Sequence, residues 1–125
     1  MSRKIILLVE DDIDIRENMV MILEDEGYQV YETQDGAEAM IILENNKLEA
    51  PDVIILDLFM PVMNGREFLE VISKHTNEKL GKIPVILVTA SEQNMRQDLE
   101  ERTAAVLRKP IQIEDLFDIL KSIVN

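Results

Sequence analysis

Three uninterrupted apolar runs constrain this chain more than any other feature: Ile5 to Val9, Val53 to Leu56 and Val85 to Val88. Runs of this kind are what strands buried on both faces look like, and such strands occur in parallel sheets covered by helices on either side. The stretches between and after them supply those helices. Ile15, Met19, Ile22 and Leu23 recur at helical spacing after the first run, and Leu116, Ile119, Leu120 and Ile123 do so near the C-terminus.

Shorter pieces complete the alternation. A strand is expected near Tyr28 to Glu32, a helix near Gly36 to Asn45, a helix near Gly65 to Thr76 and a strand near Ala104 to Arg108. Between the last two strands, Glu92 to Glu101 offers only Met95 and Leu99 as an apolar stripe and predicts an exposed, loosely held helix. Strand and helix thus alternate five times, which predicts an α/β fold with a parallel sheet, right-handed crossovers and helices on both faces. No internal repeat, low-complexity tract or linker divides the chain, so residues 1–125 read as one domain.

Composition narrows the function. Apolar residues make up 46% of the chain and charged residues 30%, enough apolar surface to offset the entropy of ordering. A net charge of −12 repels nucleic-acid phosphates and anionic lipid headgroups, so cations or basic partners suit the surface better. The chain has no cysteine and one histidine, His75, which removes disulfide, thiolate and Cys-based zinc chemistry and leaves hard-metal oxygen chemistry open. His75, beside Lys74 and Thr76, is expected to be a solvated residue near a helix end. Arg3 and Lys4 precede an apolar run far too short for a signal-peptide core or a membrane span, and a cytoplasmic location is expected.

In an open parallel sheet, ligands bind beyond the carboxyl ends of the strands, so what each strand ends with matters. The first ends in Glu10, Asp11 and Asp12, the third in Asp57, the fourth in Thr89, and the fifth in Lys109 followed by Pro110. Taken singly, each has an ordinary reading. The acids favour a helix N-terminus, with Asp12 or Asp14 as its cap, Thr89 is a β-branched strand residue, and Lys109 is a surface charge. Together they deliver complementary groups from four strands to one rim. If the first and third strands are neighbours, as in a 2-1-3-4-5 order, Glu10, Asp11 and Asp57 converge and require a cation. Oxygen-only ligands select a hard ion, and a few carboxylates plus water and phosphate oxygen suit Mg²⁺, with Mn²⁺ as a substitute. Beside such an ion Asp57 is a carboxylate nucleophile toward a phosphoryl group, with Lys109 and the Thr89 hydroxyl available to its equatorial oxygens.

Over essentially its whole length the sequence resembles the receiver domain of bacterial two-component response regulators, a flavodoxin-like fold. The resemblance rests on Leu7-Leu8-Val9-Glu10-Asp11-Asp12, on Asp57-Leu58-Phe59-Met60-Pro61 through Gly65, on Pro84 to Ala90 and on Lys109-Pro110. It implies that Asp57 takes phosphate from a phosphohistidine on a sensor histidine kinase or histidine phosphotransfer protein. It also implies that Asp11 and Asp57 bind Mg²⁺ directly, that Glu10 acts through water, and that the backbone carbonyl of Phe59 completes the protein ligands. Thr89 and Lys109 would contact the phosphoryl oxygens, Ala90 would leave room beside them, and the Lys109-Pro110 bond would be cis. Gly65 would give backbone freedom where the loop after Asp57 enters its helix.

The sequence departs from the family pattern in places. Val106 stands where Tyr or Phe is usual, and is expected to be a packed strand residue. Thr103-Ala104-Ala105 replaces a glycine-containing turn. Phe59 and Ser91 occupy positions that govern water access to the acyl phosphate, and a bulky Phe59 suggests slow hydrolysis. The expected function is a stand-alone receiver acting on a downstream protein partner that the sequence does not name, with a receiver cut from a longer regulator as the alternative of the same class. Two other readings compete: a Mg²⁺-dependent aspartyl-phosphate phosphatase, disfavoured because Phe59 stands where such enzymes carry a second acid, and a receiver-like scaffold that is not phosphorylated, disfavoured by the intact Glu10, Asp11, Asp57, Thr89 and Lys109.

Overall fold

The computed structural model describes residues 3–58, 63–90 and 102–124. Within them run β1 (Ile5–Val9), α1 (Ile13–Asp25), β2 (Gln29–Thr33), α2 (Gly36–Leu43), β3 (Val53–Asp57), α3 (Gly65–Ser73), a 3₁₀ turn (Leu80–Lys82), β4 (Val85–Thr89), β5 (Ala105–Arg108) and α4 (Ile113–Val124). The helix expected over residues 92–101, the Phe59 carbonyl and Ser91 lie outside the described residues.

The five strands form one parallel sheet in the order β2-β1-β3-β4-β5, as the sequence suggests. Every residue of β1, β3 and β4 is buried, which is why those runs carry no polar face. Side chains alternate across the sheet. Leu7, Val9, Ile54, Leu56, Val85 and Leu87 face a core closed by α2 and α3, with Ala39, Met40, Phe68, Leu69 and Ile72. Ile6, Leu8, Val53, Ile55, Ile86 and Val88 face a second core closed by α1 and α4, with Met19, Leu23, Leu116 and Leu120. Val106 is half-buried against the first of these cores, as a packed strand residue should be.

Local chemistry sets the helix boundaries. Asp12 is the residue that caps α1, accepting from the Ile15 N–H at 3.0 Å. Asp35 caps α2, and Asn64 caps α3 in a reciprocal capping box with Glu67. α1 stops at Gly27, whose φ of +98° opens a Schellman turn: the Gly27 N–H donates to the Glu24 carbonyl and the Tyr28 N–H to the Leu23 carbonyl.

α2 and α3 end earlier than their apolar periodicity predicts, at Leu43 and Ser73. Side chains just beyond each end capture backbone donors that the helix would need. Asn45 Oδ1 accepts from the Lys47 N–H, His75 Nδ1 from the Asn77 N–H, and Asn77 Oδ1 from the Lys79 N–H. His75 is therefore not the solvated residue expected. With Nδ1 accepting, its Nε2 carries the proton and donates to Glu44 Oε2 at 3.0 Å, joining the ends of α2 and α3.

Candidate phosphoacceptor site

The alternation that separates the two cores also builds the rim. Ile6 and Leu8 lead to Glu10, Val53 and Ile55 lead to Asp57, and Ala105 and Leu107 lead to Lys109, all in register with the core under α1 and α4. Thr89 continues the opposite row of Val85 and Leu87. Asp57 pairs with Val88 across β3 and β4, so Thr89 stands one residue further along the neighbouring strand. The Lys109 N–H donates to the Thr89 carbonyl at 2.9 Å, and the Lys109-Pro110 bond is cis, as the resemblance implies.

Glu10 and Asp57 are only 3% and 5% exposed, and Thr89 is fully buried, whereas Asp11 is exposed. Oxygens of Glu10, Asp11 and Asp57 lie within 4.8 Å of one another. The Lys109 Nζ sits between two of these acids, 3.1 Å from Glu10 Oε1 and 3.3 Å from Asp57 Oδ2. Burial pushes the Glu10 carboxyl up to about 7, and the nearby Asp57 carboxylate adds to the rise. The Asp12 N–H, which donates to Glu10 Oε2 at 3.1 Å, and Lys109 pull the other way. For Lys109, burial alone would lower the ammonium, but the Glu10 hydrogen bond and the Asp57 and Glu10 charges outweigh it and hold the group above its ordinary value.

The donor set fits a hard divalent cation. All three contributing groups are carboxylates, and one lysine bridges only two of them, so the cluster retains negative charge. The rise of the Glu10 carboxyl to about 7 comes first from burial, with the Asp57 charge adding to it. Asp11 is the one of the three acids that is exposed to solvent.

The start of α3 is held close to the end of β3. The Gly65 N–H donates to the Leu58 carbonyl at 2.9 Å, and a Cβ on Gly65 would stand 2.8 Å from Leu58 Cα and 3.0 Å from the Asp57 carbonyl oxygen. Gly27 alone among the glycines has a positive φ, so Gly65 is needed for space and not for the backbone freedom expected of it.

Sequence reasoning passed over Arg16. Its side chain, 13% exposed, donates from Nη1 to the Glu10 carbonyl at 2.9 Å and from Nε to Glu32 Oε1 at 3.4 Å. The available signal was a lone cation among Asp11, Asp12, Asp14 and Glu17. Its partner on β2 follows only from the strand order.

The family model for the response regulator receiver domain matches residues 6–121. The response regulator MprA of Mycobacterium sp. (strain KMS) is 32% identical over 127 residues, covering 96% of this chain and 50% of that protein. The phosphate regulon transcriptional regulatory protein PhoB of Pseudomonas aeruginosa is 32% identical, covering all of this chain (100%) and 53% of its own length. The chain thus spans about half the length of these curated relatives. A CheY-like response regulator receiver domain from Methylobacillus flagellatus has a TM-score of 0.86 at 25% identity, covering 98% of this chain and 99% of that one. The chemotaxis protein CheY4 of Vibrio cholerae has a TM-score of 0.81 at 29% identity, with the same coverage of 98% and 99%. Because the sequence match runs through every strand of the sheet and solved receiver domains share nearly the whole architecture, the chain belongs to the response regulator receiver domain family.

Proposed function

We propose that this domain is a phosphoacceptor in a two-component phosphorelay, with Asp57 as the residue that takes the phosphoryl group. The observation that carries this reading is the near-contact of Glu10, Asp11 and Asp57 oxygens with Lys109 3.3 Å from Asp57. The donor is a phosphohistidine on a sensor histidine kinase or histidine phosphotransfer protein. An Asp57 carboxylate oxygen forms the new bond to phosphorus while the phosphorus–nitrogen bond breaks and the imidazole departs.

Glu10, Asp11 and Asp57, with the backbone carbonyl of Phe59, would hold Mg²⁺, or Mn²⁺ in its place. When bound, the ion supplies positive charge against which phosphoryl oxygens are stabilised. Lys109, already within reach of Asp57, exchanges a carboxylate oxygen for a phosphoryl oxygen, and the Thr89 hydroxyl donates to another. With Phe59 two residues after Asp57, the site has no second acid there to drive turnover of phosphate esters, so the domain accepts phosphate and does not act as a phosphatase. The phosphorylated form acts on a downstream protein partner. The acidic surface, net charge −12, disfavours direct contact with nucleic acid or anionic membrane, and a cytoplasmic setting suits the relay.

Incubation with a small-molecule phosphodonor and Mg²⁺, followed by intact mass, should add one phosphoryl group to the wild type and none to Asp57→Asn. Modification that persists in the variant would overturn the assignment.

A further inference from the structure

We propose that Arg16 is a positioning residue for the cation site, acting on the peptide that joins Glu10 to Asp11. The inference rests on the phosphoacceptor reading above. An arginine that merely neutralised the acidic start of α1 would extend into water. Arg16 instead keeps all but 13% of its side chain covered and folds back across the β1-to-α1 turn. Its Nη1 donates at 2.9 Å to the Glu10 carbonyl, and its Nε reaches Glu32 Oε1 on β2 at 3.4 Å.

The carbonyl it holds belongs to the peptide between two of the three acids. Fixing that plane fixes the direction in which the Asp11 side chain leaves the backbone. The other side of Glu10 is tied to the same neighbouring strand, since its N–H donates to the Thr33 carbonyl at 3.1 Å. The Glu10 side chain is in turn set by the Asp12 N–H at 3.1 Å. Backbone on both sides of Glu10 is therefore anchored to β2, on one side directly and on the other through the guanidinium. Only a planar fork with well-separated donors serves carbonyl and carboxylate together in this way, and a lysine ammonium is a single point.

Partners that orient metal ligands typically matter by about 10- to 100-fold in affinity. Calorimetric titration with Mg²⁺ should therefore show Arg16→Met binding about tenfold more weakly than wild type, or worse. Arg16→Lys should recover less than half of that loss. In EDTA, amide exchange at Asp11 and Asp12 should quicken in Arg16→Met while exchange in β3 stays unchanged. The exchange measurement separates a local loosening of the turn from a general loss of stability.

Arg16→Met that melts lower but binds Mg²⁺ as tightly as wild type would reduce Arg16 to a stabilising contact and overturn the proposal. Full recovery by Arg16→Lys would overturn it too, since charge alone would then suffice. Should Arg16→Met fail to fold, Arg16→Lys and the exchange rates at Asp11 and Asp12 still decide. Wild-type protein tested in parallel keeps the two readings apart. If Asp57 is not phosphorylated in the wild type, the phosphoacceptor reading fails, whereas normal phosphorylation with unaltered Mg²⁺ affinity in Arg16→Met sinks the positioning role alone.

Discussion

Glu10 shows how much a single residue reports about the site. Its carboxyl ordinarily titrates near 4.5, and in the fold burial moves it to about 7. Between those values the folded chain holds a proton that the unfolded chain has lost. The stability it contributes is therefore complete below about 4.5 and falls as pH rises toward about 7. In EDTA, the urea midpoint should decline across that window, with roughly 3 kcal/mol as the upper bound from this group. Glu10→Gln should flatten the slope, and an unchanged slope would mean that the proton resides elsewhere. The same residue marks what could be read in advance. Glu10, Asp57, Thr89 and Lys109 were legible because each ends an apolar strand, and the period of the strand decides which side of the rim each occupies. Arg16 was not, because its contacts run from α1 back to the Glu10 carbonyl and across to Glu32 on β2, and the direction in which a helix side chain folds leaves no periodic mark in the sequence.

Among the elements, strands were read more accurately than helix ends. Apolar runs announce strands directly, but α2 and α3 stop where Asn45, His75 and Asn77 side chains take over backbone hydrogen bonding, and periodicity is blind to that competition. Glycine illustrates a similar gap. Gly27 and Gly65 both adjoin a helix end, yet the first is needed for its φ of +98° with nothing within 4 Å, and the second because backbone lies 2.8 Å from where a Cβ would be. Gly27→Ala should cost about 1–2 kcal/mol of backbone strain and leave the rate of phosphorylation unchanged. Gly65→Ala should cost about 1–3 kcal/mol and also slow phosphorylation, because α3 must retreat from the Asp57 and Leu58 backbone. Urea midpoints at constant m, together with phosphodonor kinetics, separate the two. Equal kinetics in both variants would show that the close approach at Gly65 serves packing only.

For the molecule as a whole, the net charge of −12 on 125 residues works against compaction. In about 0.01 M salt the Debye length is about 30 Å, so like charges repel across the domain, and in about 1 M it is about 3 Å. The urea midpoint in EDTA should accordingly rise with NaCl between those limits, and a flat or falling midpoint would place the balance with the ion pairs instead. Sheet order and the division into two cores were within reach of the sequence. The partner-facing surface was not, since nothing in the pattern of strands depends on it. That independence follows from β1, β3 and β4 being buried along their full length on both faces. Residues that hold the sheet together are therefore mostly not the ones that meet solvent. Exposed positions can change without disturbing the packed strands, and the Methylobacillus domain, with only 25% of its residues identical, has the same shape. New contacts can thus be built onto the exposed positions of such a domain without unfolding it.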